Sequence, residues 1–370
     1  MVLTVMQLLP ALDVGGVERG TLEIAAALVE HNHRAIVVSG GGRLVEELES
    51  VGATHIEIPI GRKSLRTLSC IGALRKTIVQ ENVDIMHARS RLPAWVGYRA
   101  LARLPTDRRV RWITTVHGPY TINAYSKIMT SGEQVIAISE FIRDYITRNY
   151  PNVPTSKIRV IPRGIDPNRY NQKYTPPDEW LATWTRQYPN LANQHLLVLP
   201  SRLTRWKGQA DFISLIGELN AKNLLVHGLI AGGATDSSND FEHELKALVE
   251  ANGLQQRITF LGQRNDLREI LSLADIAYSL TLEPEAFGRT TIEALSLGTP
   301  VIGYNHGGTG EILQRVFPQG LVAPRDIAAA VRTTSALLAA PISVPTEHAY
   351  TLARMQADTI QTYEELCASE

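Results

Sequence analysis

Residues 3–40, LTVMQLLPALDVGGVERGTLEIAAALVEHNHRAIVVSG, contain two short apolar runs separated by a segment of helical period. The first run, LTVMQLLP, and the second, RAIVVSG, have the length and the apolar character of buried strands. The segment between them, VERGTLEIAAALVEH, carries apolar residues at helical spacing. A strand, a helix and a strand in this order predict two parallel strands joined by a right-handed crossover.

The same alternation recurs along the chain in two series, and it predicts two doubly wound, Rossmann-like α/β domains. The further strands are predicted at THIEIPI, DIMHARS, WITTVHG, QVIAIS and KIRVIP in the first series, and at LLVLPSRL, LLVHGLIAG, ITFLG, DIAYSL, PVIGY and GLVAP in the second.

Between the two series, residues 166–194 are rich in Pro, Asn and aromatic residues, which is typical of a connection between domains. We therefore expect an N-terminal domain at 1–170, a linker at 171–194, a second domain at 195–345 and a C-terminal helix at 346–370. That helix has two alternatives: it covers its own domain, or it crosses back to the first.

The composition is that of a soluble globular protein, with 370 residues of which 44% are apolar and 20% charged. Two distant cysteines, Cys70 and Cys367, indicate neither a disulfide framework nor a cysteine metal site, and they fit a reducing cytoplasm. The N-terminus lacks the basic segment of a signal peptide, and no stretch approaches the roughly 20 apolar residues that span a bilayer. We expect a cytoplasmic protein whose contact with a membrane, where it has one, is peripheral.

The charge is balanced overall but not along the chain. Residues 1–170 hold 22 Lys and Arg against 15 Asp and Glu, which leaves 15 basic and 22 acidic residues for the remainder. The excess of +7 in the first half has two explanations: an anionic partner, such as a phosphate-linked acceptor or an acidic lipid surface, or charge complementarity between the domains. Balanced net charge and the lack of a known binding module disfavour nucleic-acid binding.

Three segments carry residues suited to a phosphorylated sugar. Gly15 and Gly16 follow the first strand, where glycine lets a phosphate approach the backbone or simply satisfies the turn. Arg202 and Lys207, in PSRLTRWKG, follow the first strand of the second domain. A guanidinium and an ammonium there suit a diphosphate, although a solvated pair at a helix start has the same pattern.

The most specific stretch is residues 280–312, LTLEPEAFGRTTIEALSLGTPVIGYNHGGTGEI. Glu285, in a predicted loop, and Glu293, in a predicted helix, stand eight residues apart, and carboxylates accept hydrogen bonds from sugar hydroxyls. Between them, Phe287 and Gly288 are expected to expose backbone N–H groups at a helix N-terminus, which favours a diphosphate. Isolated glutamates would instead be surface charges.

Together, the E-x7-E spacing, SRLTRWKG and GGVER make the chain resemble family 4 of the retaining glycosyltransferases, which have the GT-B fold. The resemblance covers almost the whole chain. It implies two Rossmann-like domains facing across a cleft, the C-terminal one holding a nucleotide sugar and the N-terminal one most of the acceptor. It also implies that neither a metal nor another cofactor is needed, and it favours UDP as the nucleotide.

The resemblance also assigns roles to single residues. Arg202 and Lys207 would hold the diphosphate, Glu285 the transferred hexose and Glu293 the ribose. His117, at the end of a strand, would lie near the reacting carbon and the acceptor, unless it is a satisfied strand-end histidine. Further donor-binding residues would be Gly15, Gly16, Phe287, Gly288, Arg289 and Thr290. Ser201 replaces a common glycine, and Arg289 with Thr290 replaces a common aliphatic pair, a change that bears on donor choice.

The remaining candidates have simpler explanations as well. Arg89 and Arg91 end a predicted strand and would meet an acceptor phosphate, or are surface charges. Ser139 and Glu140 would face the cleft, or Ser139 caps a helix. Glu311 would lie near the nucleotide or its sugar, or is a first-turn acid of a helix.

The function expected from these features is hexosyl transfer to an acceptor hydroxyl on a lipopolysaccharide, polysaccharide or other cell-envelope precursor. The rivals on the same two-domain plan are a nucleotide-sugar epimerase and a phosphorylase, the latter requiring a pyridoxal lysine that the sequence does not identify. A non-catalytic nucleotide-sugar-binding protein is the alternative from another class, and substituted catalytic residues would be its sign.

Overall fold

The computed structural model describes residues 1–13, 15–62, 67–105, 108–233, 239–345 and 347–368. The chain divides into two compact units. The first unit comprises Met1–Gly164 and the C-terminal segment from Leu352, and the second comprises Ile165–Thr351.

The first unit is a parallel sheet covered by helices. Its strands are β1 (Thr4–Leu8), β2 (Arg34–Ser39), β3 (Thr54–Glu57), β4 (Ile85–Ala88), β5 (Arg111–Val116), β6 (Gln134–Ala137) and β7 (Ile158–Val160). Its helices before the crossing into the second unit are α1 (Gly16–Glu30), α2 (Val45–Ser50), α3 (Thr67–Gln80), α4 (Arg91–Leu101) and α5 (Glu140–Asn149), with short 3₁₀ helices at Ser126–Thr130 and Thr155–Lys157. Over the described residues, the strand order is β3-β2-β1-β4-β5-β6-β7.

The second unit repeats this plan. Its strands are β8 (His195–Pro200), β9 (Val226–Ala231), β10 (Ile258–Gly262), β11 (Ile276–Ser279), β12 (Val301–Tyr304) and β13 (Leu321–Val322). Its helices are α6 (Asp178–Gln187), α7 (Gln209–Ala221), α8 (Asn239–Ala251), α9 (Leu267–Leu273), α10 (Arg289–Ser296), α11 (Gly307–Val316) and α12 (Ile327–Ala339), with 3₁₀ helices at Pro189–Leu191 and Pro318–Gly320. In the described part of this unit the strand order is β10-β9-β8-β11-β12-β13.

The predicted strands are present, and all their pairings are parallel. Burial in β1 and β8 explains why the strands are continuous apolar runs in the sequence. Val5 and Met6 in β1, and Leu197 and Val198 in β8, are all fully buried although successive side chains point to opposite faces. Helices therefore cover both faces of each sheet, which is why the strands read as continuous apolar runs.

The C-terminal helix, α13 (Leu352–Ala368), packs on the first unit, which decides between the two alternatives for it. Met355, Ile360 and Tyr363 join the hydrophobic core formed by β1, β2 and α1. The Tyr363 hydroxyl lies 2.7 Å from Nδ1 of His87 in β4. The helix thus closes a face of the first sheet.

The predicted domain boundaries need two corrections. The second unit begins at Ile165 instead of after a linker, and the predicted linker 171–194 contains α6. Trp180 and Trp184 stack on one face of α6 with their ring centroids 5.1 Å apart, and Trp180 donates to Asp266 at 2.7 Å. Trp180 and Trp184 thus lie on one face of α6, and this face packs against the rest of the second unit.

Candidate functional site

In each sheet the strand order reverses once, and loops at such a reversal form a crevice beyond the carboxyl ends of the strands. In the second sheet the reversal lies between β8 and β11, which pair directly. Residues 201–208 follow β8 and residues 280–288 follow β11. The predicted phosphate-binding and sugar-binding residues therefore start at the same edge of the sheet.

Lys207 and Glu285 join these two segments. Their side chains form an ion pair, and each is 15% exposed. The Lys207 ammonium also lies over the ring of Trp206, 4.2 Å from its centroid. In addition, the N–H of Leu282 donates to the carbonyl oxygen of Trp206 at 2.7 Å. A cation held by a partly accessible carboxylate can take a phosphate oxygen as an additional or a replacement ligand.

Arg202 lies in the same segment, with an exposed side chain. Its carbonyl oxygen accepts a hydrogen bond from Nε2 of the buried Gln209 at 2.9 Å, and the same amide donates to Ser201 Oγ at 3.1 Å. The serine that departs from the family pattern thus helps to anchor the segment. Within the part of the chain that the structure describes, the Arg202 guanidinium makes no ion pair.

Two helix N-termini meet beside the ion pair. Helix α10 follows Gly288, whose φ of +94° lies in the left-handed region, and α11 begins at Gly307. A Cβ at Gly308 would lie 2.2 Å from the Phe287 carbonyl oxygen, so glycine is needed for this approach. The Gly308 N–H donates to the Glu285 carbonyl oxygen at 2.8 Å. Because first-turn N–H groups have no partner within their own helix, this convergence favours an anion.

Glu293, one turn into α10, is not a surface glutamate, since its side chain is only 11% exposed. It accepts a hydrogen bond from Nε of Arg289 at 3.1 Å. Tyr170 faces it: burial and then the negative charge of Glu293 raise the pKa of Tyr170 to about 12. Arg289 therefore has a partner in this unit, while Thr290 beside it is half-buried.

His117 lies in the first unit, directly after β5. Its Nδ1 is 2.7 Å from a guanidinium nitrogen of Arg163, while its buried Nε2 has no hydrogen-bond partner among the described residues. Burial, followed by the charges of Arg163 and Arg89, lowers the pKa of His117 well below its usual value. One of the two ring nitrogens therefore has a hydrogen-bond partner among the described residues, and the other has none.

The two arginines near the end of β4 differ from each other. Arg89 is only 2% exposed and donates from Nε to Gln7 at 2.7 Å, so the surface alternative is wrong for it. Arg91 is half-buried and lies over the Tyr120 and Tyr125 rings, at 4.9 and 5.5 Å from their centroids. Contact of either arginine with an acceptor stays a prediction.

The weaker candidates have structural roles as well. Gly15 caps α1 in an extended conformation, and neither Gly15 nor Gly16 has a φ in the left-handed region. A Cβ on Gly15 would meet the Glu18 side chain, whereas a Cβ on Gly16 would meet open space. Ser139 caps α5 by accepting from the N–H of Ile142 at 3.1 Å. Glu140 forms an ion pair with Arg143 at 2.6 Å. Glu311 is half-buried in α11.

Two residues that the sequence motifs do not single out, Trp206 and Arg163, contact the residues of these sites. Trp206 stands next to Lys207 in the sequence, and this adjacency is compatible with a cation–π contact between the two side chains. Arg163, in IPRGI, gives no local signal, because its partner His117 is 46 residues away.

In the part of the chain that the structure describes, no group of three or more His, Cys, Asp or Glu side chains is arranged to hold a metal ion. No helix in that part of the chain has both the length and the apolar character to cross a membrane.

The chain is similar to known proteins in both sequence and structure. Residues 14–169 match the family model Glycosyltransferase Family 4, and residues 183–351 match Glycosyl transferases group 1. The structure of a glycosyltransferase from Rickettsia africae ESF-5 has 29% identity and a TM-score of 0.86, over 100% of both chains. The Anabaena Alr3699/HepE structure in complex with UDP and glucose has 21% identity and a TM-score of 0.76, over 99% of this chain and 97% of that one.

Among curated proteins, the lipopolysaccharide core biosynthesis mannosyltransferase LpcC of Rhizobium leguminosarum bv. viciae is 27% identical over 70% of this chain and 68% of its own length. The two family models cover one unit each and together most of the chain, and the solved structures share its two-sheet plan. The chain is therefore a glycosyltransferase of the GT-B fold and belongs to family 4.

Proposed function

We propose that this glycosyltransferase transfers a hexose from a UDP-linked donor to an acceptor hydroxyl on a cell-envelope glycan or lipid-linked precursor, with retention of anomeric configuration. One observation carries the proposal: the Lys207–Glu285 ion pair lies where the loops after β8 and β11 meet the N-termini of α10 and α11. Cations and the positive ends of two helices suit a diphosphate, and a carboxylate beside them suits the sugar attached to it.

In the proposed reaction the bond between the anomeric carbon and the diphosphate oxygen breaks, and negative charge grows on the leaving nucleotide. Lys207, Arg202 and the helix-end N–H groups stabilise that charge, which lowers the barrier. Glu285 accepts hydrogen bonds from the hexose. The acceptor hydroxyl attacks from the face that the diphosphate leaves and gives its proton to a departing phosphate oxygen, so the configuration is retained and no dedicated base is required.

Glu293 is proposed to bind the ribose of the nucleotide. Its carboxylate is largely buried, and Arg289 and Tyr170 accompany it. A buried carboxylate needs hydrogen-bond donors, and ribose hydroxyls supply them. The Anabaena protein, whose structure contains UDP, supports UDP as the nucleotide, and the relative named as a mannosyltransferase supports a hexose and a lipopolysaccharide acceptor.

Two rival functions remain as test outcomes. An epimerase would convert the nucleotide sugar without releasing the nucleotide, and a non-catalytic protein would bind it unchanged. The presence of Lys207 and Glu285 as a paired set favours turnover over binding alone. We further propose that the enzyme needs neither a metal nor a cofactor, because protein cations and helix ends can neutralise the diphosphate.

The first prediction concerns the donor. A ligand that binds only the folded state stabilises it more the tighter it binds, by about 2.7 kcal/mol at 100 times its Kd. Among UDP, GDP, ADP and CDP at equal concentration, we therefore expect UDP to raise the thermal unfolding midpoint most. A panel of UDP-hexoses with envelope-type acceptors should then release UDP only when the acceptor is present, and with undiminished rate in EDTA. NMR of the product should show the anomeric configuration of the donor.

Several results would contradict this proposal. A larger shift with GDP or ADP would reject UDP, and loss of rate in EDTA would reject metal independence. Inversion at the anomeric carbon would reject retention. Interconversion of two UDP-sugars without nucleotide release would favour the epimerase.

We also propose that the acceptor is reached at an anionic membrane surface through helices α3 and α4. These helices pack against each other and expose Tyr98 and Val79, at 44% and 39%. Their exposed cations, together with one just after α4, are Arg75, Lys76, Arg99 and Arg103. Apolar side chains among cations suit the boundary between lipid headgroups and acyl chains.

The second prediction tests this surface. The variant Arg99→Glu/Arg103→Glu should bind vesicles that contain anionic phosphatidylglycerol at least about tenfold more weakly than the wild type, in a sedimentation assay at low salt. The matched control is Lys222→Glu/Arg332→Glu, which reverses two exposed cations of the second unit. Equal loss in both variants would indicate a net-charge effect, and no loss in either would reject the α3–α4 surface.

A further inference from the structure

Arg163 determines which ring nitrogen of His117 carries the proton. A guanidinium has donors and no acceptor. Its nitrogen lies 2.7 Å from Nδ1 of His117, so Nδ1 must accept the hydrogen bond. A neutral imidazole carries one proton, which is then on Nε2. The contact therefore turns Nε2 into a hydrogen-bond donor.

Gly20 in α1 makes room for this contact. A Cβ at Gly20 would lie 2.4 Å from one guanidinium nitrogen of Arg163 and 3.1 Å from its Cζ. The guanidinium therefore rests directly on the Gly20 backbone, and any side chain there would displace it. Arg163 is itself only 8% exposed, which limits the places to which it can move.

The other groups around His117 also oppose a second proton on the ring. Arg89 and Arg163 both add positive charge, and His87 lies close enough to contribute. The backbone N–H of His117 donates to the hydroxyl of Tyr120 at 3.2 Å, an oxygen that burial keeps protonated by raising its pKa. Glu23 in α1, a buried acidic group of this region, acts on Arg89. The Nε2–H is left buried and without a partner among the described residues.

We propose that Arg163, seated on Gly20, is a positioning residue that holds His117 as a neutral Nε2–H donor, so that His117 hydrogen-bonds an oxygen of the transferred sugar or of the acceptor and does not act as a base. This inference rests on the proposed function in placing His117 at the reacting sugar. A buried donor without a protein partner is the kind of group that a ligand oxygen satisfies. The arrangement also agrees with a reaction in which the leaving phosphate takes the proton.

The tautomer can be observed without any substrate. Long-range ¹H–¹⁵N correlation spectra of the ¹⁵N-histidine-labelled enzyme should show one histidine, identified by its loss in His117→Gln, with an unprotonated Nδ1 and a protonated Nε2. In Arg163→Met the same residue should show mixed tautomers and gain its second proton at higher pH than in the wild type. A wild-type His117 with its proton on Nδ1, or an unchanged signal in Arg163→Met, would overturn the assignment.

Activity then separates positioning from a general loss of structure. We expect kcat of Arg163→Met to fall about tenfold or more, with KM for the donor changing less. Its rate should also decline on the acid side at higher pH than that of the wild type, because removing a neighbouring cation raises the pKa of His117 and lets the ring protonate as the pH falls. Arg163→Lys, which keeps a donor and a charge, should recover part of the rate. A loss confined to KM, with an unshifted pH profile, would overturn the positioning role.

Gly20→Ala gives an independent test that leaves Arg163 in the chain. It should reproduce the mixed tautomer and the shifted pH profile. The matched control is Gly72→Ala in α3, where a Cβ meets nothing within 4 Å. If Gly20→Ala keeps the wild-type tautomer, the proposed role of Gly20 in positioning the Arg163 guanidinium is wrong. If His117→Gln transfers sugar at the wild-type rate while the tautomer result holds, the role of His117 in the reaction fails and the tautomer assignment stands.

Discussion

Replacing Lys207 by alanine is expected to lower kcat/KM for sugar transfer about 100- to 1,000-fold, the usual effect of removing one preorganised group that stabilises transition-state charge. Lys207 is the cation that the structure holds in place, between the Glu285 carboxylate and the Trp206 ring. Its contribution should grow as the diphosphate gains charge, so kcat should fall more than the affinity for UDP.

The matched control for Lys207→Ala comes from the same segment. Arg205 stands two residues before Lys207 and is an exposed cation that forms an ion pair with Glu244. Arg205→Ala removes an equal charge from the segment and should leave the rate within about twofold of the wild type. Near-normal turnover by Lys207→Ala, or an equal loss in Arg205→Ala, would reject a specific role for Lys207 at the diphosphate.

A double-mutant cycle decides what Lys207 acts on. If Lys207 works only by orienting Glu285, then Lys207→Ala/Glu285→Ala should be no slower than Glu285→Ala. We expect the double variant to be slower than either single variant, because the ammonium and the carboxylate are proposed to bind different parts of the donor. The unfolding midpoint of each variant, measured beside the rate, separates loss of chemistry from loss of fold.

The sequence predicts that the two segments of the second-unit site lie at one edge of the sheet, because each of them directly follows a strand. The predicted donor residues lie in two short segments after β8 and β11, and neighbouring parallel strands bring their carboxyl ends together. The Lys207–Glu285 contact could be expected from such local patterns even though 78 residues separate the partners. The spacing of Glu293 from Glu285 predicts a place for it in the same site, and its side chain is largely buried.

The first-unit site could not be predicted in the same way. Arg163 reaches His117 because β6 pairs with both β5 and β7, and because Gly20 leaves room for the guanidinium. Neither condition has a local sequence pattern. Arg89 is not the surface charge that its sequence context allows, because it is buried and donates a hydrogen bond to Gln7 of β1. The partner of a buried cation is set by tertiary packing, which a single sequence does not reveal.

Gly208→Ala is expected to be the most destabilising of the single substitutions described for the second unit. Gly208 is the N-cap of α7 and has a φ of +81°, a conformation that alanine adopts at a cost of about 1 kcal/mol. A Cβ there would also lie 1.9 Å from the carbonyl oxygen of Leu280 and 2.7 Å from its carbonyl carbon. Those atoms are backbone, so the segments after β8 and β11 must separate.

The matched control for Gly208→Ala is Gly253→Ala, with a φ of +65° and nothing within 4 Å of its Cβ. It isolates the cost of the backbone angle, about 1 kcal/mol, or a decrease of about 2–4 °C in the unfolding midpoint of a unit of this size. Gly208→Ala should cost about 3 kcal/mol or more, or about 6–12 °C, because backbone overlap adds to the angle. Equal decreases would show that the Leu280 contact does not matter.

The activity of Gly208→Ala links the packing of the second unit to its chemistry. Lys207 immediately precedes Gly208, and its ion pair with Glu285 requires the two segments to stay together. We therefore expect the variant to lose most of its turnover even well below its unfolding midpoint, whereas Gly253→Ala should retain the wild-type rate. A destabilised but fully active Gly208→Ala would mean that the ion pair tolerates separation of the segments, and the close approach at Leu280 would then serve folding alone.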